Sequence, residues 1–524
     1  MITLPTLSFL SLALAWLFYS HIPRPVSNLP TSLPWVGRRN EVFSKLRACI
    51  REFTAGLRTL SEGYVTYSKN DQPFAILDPA GRPQVMLPKQ QIRWLTSLPD
   101  SVLSARAVQD VKFAIKYLVA PITHAQADAV AISLRQDLTR NLGRAQVPVF
   151  DALRSSIDRT WGFDETTWNE ISLFETMQES VHRAVNCILV GSPLCHEGKY
   201  LDSLSRFATW VGVGSVVVGQ FTPWFLAPIV GNIVSIPVRI YRRKSMQYLQ
   251  PEIEDRIRYI ERSEKDESSI EPKDLISWII LNSRESTAVE IGDMILGLSL
   301  GSIHTVILTA TNFFLDLLSS PPDASYYESL HTEAASTFQT QEDWGRLASL
   351  SKLSLTDSAV RESLRINPAV GRGAMRQVMH KDGITLPGGH HLPQDAWVGV
   401  SVLGINRDDR FYADPDQFKP FRFARSPAKS DTKPLSPATQ NVEGPPNDPY
   451  LATAEDKFMS FGYGRHSCPG RWFAAHLLKL LVAYITLNYE IQPIATRPEN
   501  IIFGDSIVPS RSLKIKVRRR KQVK

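Results

Sequence analysis

The sequence predicts a mainly α-helical domain with small β-sheets, preceded by a single N-terminal transmembrane helix. Three observations carry this. An uncharged apolar run opens the chain, apolar residues recur at three- and four-residue spacing through its middle, and alternating segments are few and short. The 524 residues are 43 % hydrophobic and 21 % charged, which suits a large buried core and excludes a disordered, collagenous or coiled-coil chain. A mean hydropathy of −0.14 excludes a polytopic membrane protein.

From Ile2 to Ile22 there is no Lys, Arg, Asp or Glu. These 21 residues match the roughly 20 that span a bilayer as a helix. Trp16, Tyr19 and His21 stand where an aromatic belt would sit, and Arg24, Arg38 and Arg39 follow. Positive charge after the span places the bulk of the chain on the cytosolic side, with the endoplasmic reticulum membrane as the expected location. A cleaved signal peptide fits less well, because a basic n-region is missing and Pro23-Arg24-Pro25 is a poor cleavage site. Residues 23–36, with Pro23, Pro25, Pro30 and Pro34, predict a stiff extended connector, and residues 37–524 one large domain.

Within that domain, periodicity predicts helices around 126–142, 172–190, 247–262, 286–318 and 343–366. Segments near 384–403 and 512–518 read as strands, and about 426–450, rich in Pro, Ser, Thr, Asn and Asp, reads as a surface loop. The net charge is 59 minus 52, or +7, and part of the excess sits at Arg518, Arg519, Arg520, Lys521 and Lys524. Without basic and aromatic residues interleaved upstream, this tail predicts no nucleic-acid partner but a solvated terminus near an anionic membrane. The four cysteines, Cys49, Cys187, Cys195 and Cys468, are too few for a disulfide scaffold and lack the close pairing of a zinc site. Cys187 and Cys195 read as packing residues on and after a helix.

The most informative segment runs from Phe461 through Gly462, Gly464, Arg465, His466 and Cys468 to Gly470. Apolar residues at 473, 477, 480, 481 and 484 predict a helix beginning just after Cys468. A cysteine there feels the positive end of the helix dipole, which favours its thiolate. The glycines let backbone approach something bulky and flat. A thiolate in such a loop, with Arg465 and His466 beside it, suits ligation of a haem iron with the basic pair facing propionates. A buried cysteine ahead of an ordinary helix is the competing reading.

Phe461, Gly464, Cys468 and Gly470 fall in register with the F-x-x-G-x-x-x-C-x-G signature, so the segment resembles that of the cytochrome P450 family. Glu362-x-x-Arg365 and Phe418-Lys-Pro420-Phe-Arg422-Phe423 resemble two further family motifs, which implies a structural triad of Glu362, Arg365 and Arg422. Gly301-Ser302-Ile303-His304-Thr305 resembles the family's A/G-G-x-D/E-T helix. It departs by placing His304 on the acid and Ser302 on the second glycine, while Thr305 falls on the threonine. The resemblance implies that Thr305 and His304 assist protonation of bound dioxygen, since a histidine also relays protons near neutral pH. Arg376 stands where a family arginine contacts a propionate. The family's Trp-x-x-x-Arg is not evident, and Arg135 is the nearest substitute. Leu298, Gly301, Ala369–Arg372 and Ile507–Pro509 would line the pocket.

The resemblance covers roughly residues 30–515, and extends to fungal members acting on natural products through Ile303-His304-Thr305, His182-Arg183, Val190–Cys195, Leu350–Leu353 and Asp357-Ser358. It implies the cytochrome P450 fold and a monooxygenase with haem b. NADPH-cytochrome P450 reductase would supply electrons, because the chain has no G-x-G-x-x-G dinucleotide fingerprint of its own. The implied substrate is a lipophilic small molecule, such as a terpenoid, polyketide or indole alkaloid. Two other readings stand beside it: a haem-thiolate isomerase or dehydratase, and a non-enzymatic membrane haem-binding protein.

Overall fold

The computed structural model describes residues 29–222, 226–265, 274–424 and 450–521. The expected membrane span, the connector up to residue 28 and nearly all of the 426–450 loop lie outside the described residues. The principal helices are α1 (Ser44–Thr66), α2 (His124–Ile132), α3 (Leu142–Trp161), α4 (Leu173–Leu189), α5 (Gly198–Gly214), α6 (Ala227–Lys265), α7 (Ala288–Leu318), α8 (Ser354–Ile366) and α9 (Arg471–Asn488). Helix α7 is apolar and long enough to cross a membrane by composition, yet half of its most apolar window is buried. Its Ile295 and Phe313 pack in one core with Leu153 of α3, Met177 of α4, Leu204 of α5, Val360 of α8 and Leu481 of α9. It is the central strut of a helical layer, and a capping box of Thr287 with Glu290 fixes where it starts.

Twelve strands among the described residues form four small sheets: β1 (Phe74–Leu77), β2 (Pro83–Leu87), β3 (Leu103–Ser104), β4 (Asn169–Ser172), β5 (Arg372–Val378), β6 (Ile384–Thr385), β7 (His391–Leu392), β8 (Trp397–Ser401), β9 (Tyr489–Ile491), β10 (Ile501–Phe503), β11 (Ser506–Val508) and β12 (Lys514–Arg519). The largest has the order β1-β2-β8-β5-β3, and β4-β12-β9 forms a second. The mainly α architecture with small sheets matches expectation.

Three details correct the sequence reading. The helix expected over 126–142 ends at Ile132, passes through a wider π-helical turn at Ser133–Leu138 and resumes as α3. The helix expected over 343–366 breaks at Leu353, where ψ is 70°. There the Glu333 carboxylate accepts the N–H groups of Leu355 (2.5 Å) and Thr356 (2.8 Å), so a side chain distant in sequence starts α8 afresh. The terminal arginines are not a free tail, and Lys524 lies outside the described residues. Arg518 pairs with Glu490, Arg519 with Asp158 at 2.8 Å, and Arg520 with Glu328 at 3.0 Å, which seats β12 in its sheet.

Candidate active site

The loop ahead of α9 is shaped by its own backbone. The Cys468 N–H donates to the Phe461 carbonyl at 2.8 Å, Ser467 to Gly464 at 3.0 Å and Gly462 to Met459 at 2.9 Å. Gly464 has φ +68°, and a Cβ there would lie 3.1 Å from Cβ of Thr96, so this position requires glycine on both counts. Helix α9 begins at Arg471, as the periodicity predicts. Burial pushes the Cys468 thiol up, opposed by the Gly470 and Arg471 N–H groups and the Arg471 charge. The side chain is nonetheless exposed. Protein on most sides and an open path on one describes a residue facing an internal space.

Helix α7 shows the same signature. Gly301 and Thr305, one turn apart, are exposed although Ile303, Val306 and Ile307 beside them are buried. A Cβ built on Gly297, Gly301 or Gly470 would meet nothing within 4 Å. The Thr305 hydroxyl donates to the Gly301 carbonyl at 2.8 Å, which leaves its lone pairs toward the open space. His304 is half-buried, and burial, then the Arg511 charge, lowers its pKa, so it is neutral at neutral pH. His182 on α4 is close enough for the charges of His304 and Arg183 to act on it. Burial is the largest influence and takes its pKa down to about 4.

This buried neutral histidine makes a pH prediction. The unfolded chain protonates His182 near pH 6.5 and the folded one only near pH 4, so stability is full above about pH 6.5 and falls on acidification toward pH 4, by about 3 kcal/mol. Thermal unfolding between pH 7.5 and 4.5 is expected to show the fall, with a shallower slope in His182→Gln. A wild-type midpoint that does not move would refute it.

Basic groups gather beside the cysteine loop. Arg376 on β5 is only 4 % exposed, and its one described bond runs to the Met375 carbonyl at 2.9 Å. Its charge, after burial, lowers the pKa of His466. Arg465 and His466, expected to face propionates, share one acidic partner. Both bond Asp100, at 3.1 and 3.0 Å, and Arg465 also reaches the Leu98 carbonyl. Arg135 donates to the Arg465 carbonyl at 2.8 Å, so this substitute for the missing motif does arrive at the loop. Arg471, which the sequence reading passed over, donates to the Cys468 carbonyl at 2.9 Å. An arginine three residues past a cysteine, at the helix end where positive charge is disfavoured, was the available signal.

The expected triad is formed beneath the loop. Arg365 and Arg422 both grip Glu362, with N–O distances of 2.8–3.1 Å. Of the pocket segments, Ala369–Arg372 and Ile507–Pro509 do meet, through Ile507 N–H to the Ala369 carbonyl at 3.1 Å. Arg372 leaves the set, since its side chain is buried against Glu52 and Gln84.

Residues 134–517 match the family model described as Cytochrome P450. The chain belongs to the cytochrome P450 family. The cytochrome P450 monooxygenase polB of Polytolypa hystricis is 39 % identical to it over 98 % of both chains. The cytochrome P450 monooxygenase nodZ of Hypoxylon pulicicidum is 36 % identical over 99 % of this chain and 98 % of its own. The retinoic acid bound cyanobacterial CYP120A1 shares the fold, with a TM-score of 0.59, 16 % identity and coverage of 85 % of this P450 and 91 % of that chain. The protein is thus a haem-thiolate monooxygenase, an oxidoreductase that incorporates oxygen using electrons from a redox partner.

Haem fits the residues of this P450. Gly297 and Gly301 on α7 and Gly470 ahead of α9 leave room, since a Cβ on any of them would meet nothing within 4 Å, and Thr305 and Cys468 are exposed. Cys468 is an exposed thiol backed by N–H donors, and Arg376 is a buried cation near enough for its charge to act on His466 of the same loop. When bound, haem supplies dioxygen activation, favoured by electron donation from an axial thiolate. The chain supplies the ligand, the shape, the exclusion of water and groups that carry protons.

Proposed function

We propose that this P450 oxygenates a lipophilic secondary metabolite of a fungus, with Cys468 as the thiolate ligand of haem and Thr305 and His304 carrying protons on the opposite wall. Arg376, Arg135, Arg465 and His466 would hold the propionate edge, the last two after exchanging Asp100 for the cofactor. The observation that carries the reading is that Cys468 on its loop and Thr305 and Gly301 in a core helix all open onto internal space. The fungal relatives, similar over nearly their whole length, support the secondary-metabolite assignment. Terpenoids, polyketides and indole alkaloids fit the apolar helix that flanks the cleft. The reading is tested by adding NADPH and NADPH-cytochrome P450 reductase to microsomes containing the protein and following transfer of labelled oxygen from O2 into such compounds. Turnover without NADPH or O2 would favour an isomerase or dehydratase.

The role of Thr305 has its own test. Thr305→Ala is expected to keep haem bound and NADPH consumption running, while product formed per NADPH falls about tenfold or more. Undiminished coupling would remove the proton-carrying assignment from Thr305.

We further infer a single-pass anchor at residues 1–22 in the endoplasmic reticulum membrane, with the connector at 23–36 and the catalytic domain, 37–524, facing the cytosol. An exposed apolar surface supports it. Phe43 just ahead of α1 and Ile50 and Phe53 within it stand exposed, as do Ile501, Ile502 and Phe503 of β10. Phe53 packs on Phe221 just before α6, where Ile229, Ile233, Ile236 and Ile240 make an exposed stripe at helical spacing. A patch of this extent fits a face resting on lipid. Deleting residues 2–22 is expected to turn alkali-resistant membrane association into association that alkaline carbonate reverses. Equal extraction of both forms would refute the anchor.

A further inference from the structure

Away from the haem cleft, the three metal-ligating side chains that gather most closely among the described residues lie where α4 ends. The Val190 and Gly191 N–H groups both bond the Asn186 carbonyl, Gly191 turns the chain at φ 71°, and the Cys195 N–H returns to the Gly191 carbonyl at 3.0 Å. This reversal lays the sulfur of Cys195 3.2 Å from that of Cys187, two residues short of the helix end. The next residue, His196, closes the short turn Leu194–His196 and is exposed. One donor atom from each of Cys187, Cys195 and His196 falls within 4.8 Å of the others. The two cysteines are 6 % and 1 % exposed, and neither has a part in the oxygenation chemistry.

We propose that Cys187, Cys195 and His196 form a binding site for a soft divalent metal ion of the Zn2+ type, with water in the fourth position. Tetrahedral bonds of about 2.3 Å to sulfur place two thiolates about 3.8 Å apart, so these sulfurs need to separate by only some tenths of an ångström. A disulfide would instead require them to close to about 2.05 Å. The Cys187 S–H already donates to the Cys195 sulfur and draws Cys195 toward its thiolate. A metal ion would take the place of that proton. Binding releases the proton of each thiol and leaves two thiolates and a neutral imidazole on the ion, with no change of oxidation state.

The surroundings suit such a site. The hydrogen bond to Cys195 and burial push the Cys187 thiol up, with the Arg183 charge one turn earlier on α4 opposing, while Asp151 and Asp274 add negative charge that a bound cation would offset. His196 is exposed while both cysteines are buried, so the cluster sits at the edge of the core. On the cytosolic placement proposed above, a cysteine pair is also more consistent with metal binding than with a persistent disulfide. The site would tie the end of α4 to the turn that follows it. Helix α4 packs along α7, which carries Thr305, so the metal would stiffen the wall behind the proton-carrying residues.

The test uses the haem-loaded full chain, reduced with a phosphine and titrated with Cd2+. Haem keeps Cys468 engaged, which rests on the function proposed above, and a carbon monoxide spectrum of the same sample checks that separately. The expected result is a sulfur-to-cadmium charge-transfer band that saturates at one ion per chain and is reversed by Zn2+. Cys187→Ser and Cys195→Ser should each abolish it, and His196→Ala should weaken binding by about tenfold or more. Zn2+ should raise the thermal midpoint of the wild type and not of Cys187→Ser. Absence of the band, a band that survives Cys187→Ser, or a Cys187–Cys195 disulfide persisting under phosphine would each overturn the proposal.

Discussion

Replacing Cys468 with alanine is expected to abolish both the thiolate-haem spectrum and all monooxygenase turnover while leaving the fold in place. The loop does not depend on the sulfur for its shape. Its turns are closed by the Cys468, Ser467 and Gly462 N–H groups, and the positive φ of Gly462 and Gly464 is a backbone property. Alanine keeps every one of those bonds. What it removes is the one group on that side of the opening able to donate electron density to iron, and with it the push that favours O–O cleavage. Serine does not rescue, because the backbone N–H groups and the Arg471 charge that support a thiolate cannot hold an alkoxide at neutral pH. The measurement is the carbon monoxide difference spectrum of dithionite-reduced protein in microsomes. The wild type should give a strongly red-shifted Soret band and Cys468→Ala none, with equal far-UV circular dichroism. A histidine-type band from folded wild-type protein would mean that another residue ligates the iron.

The residues around this cysteine were legible in sequence because their constraints are local. Glycine at a positive φ, a cysteine at a helix start and an apolar repeat to follow all leave a mark within a dozen residues. The strands under the cleft left a weaker one. Strand β8 falls within the 384–403 segment that reads as strand, whereas β1, buried on both faces, does not alternate and was not read. Strand β12 does alternate and was visible at 512–518. Apart from Glu362 and Arg422, which the family motifs pointed to, groups that act across long chain separations were not visible. Glu333 starting α8, Asp100 holding Arg465 and His466, and Glu328 and Asp158 absorbing the terminal arginines each join segments tens to hundreds of residues apart. Composition gave the tail a charge, and only the fold gave that charge its partners. Cys187 and Cys195 carry the same lesson, since a spacing of eight along the chain says little until Gly191 turns it back.

Glu362→Gln is expected to lower stability by about 3–5 kcal/mol and to strip the protein of haem during purification. Glu362 and Arg365 have fully buried side chains and Arg422 is 13 % exposed, so two guanidinium groups would lose their shared counter-charge in a medium that screens it poorly. Against a total stability of about 5–15 kcal/mol, that loss is a large share. It also travels. Arg365 donates to the carbonyls of Asn406 and Pro415 at 2.6 and 2.7 Å, and the Asn406 side chain accepts the Met459 N–H at 3.0 Å and donates to Ser460 at 3.1 Å. Met459 and Ser460 lead directly into Phe461 and the cysteine loop, so the triad anchors the segment on which Cys468 would hold the haem. An all-apolar replacement of Glu362, Arg365 and Arg422 should therefore fail to restore haem binding even where it relieves the charge imbalance, because the carbonyls of Asn406, Pro415 and Ala413 would be left without donors. The readouts are thermal unfolding and haem content per chain. Glu362→Gln protein with wild-type values of both would show that the triad does not hold the loop.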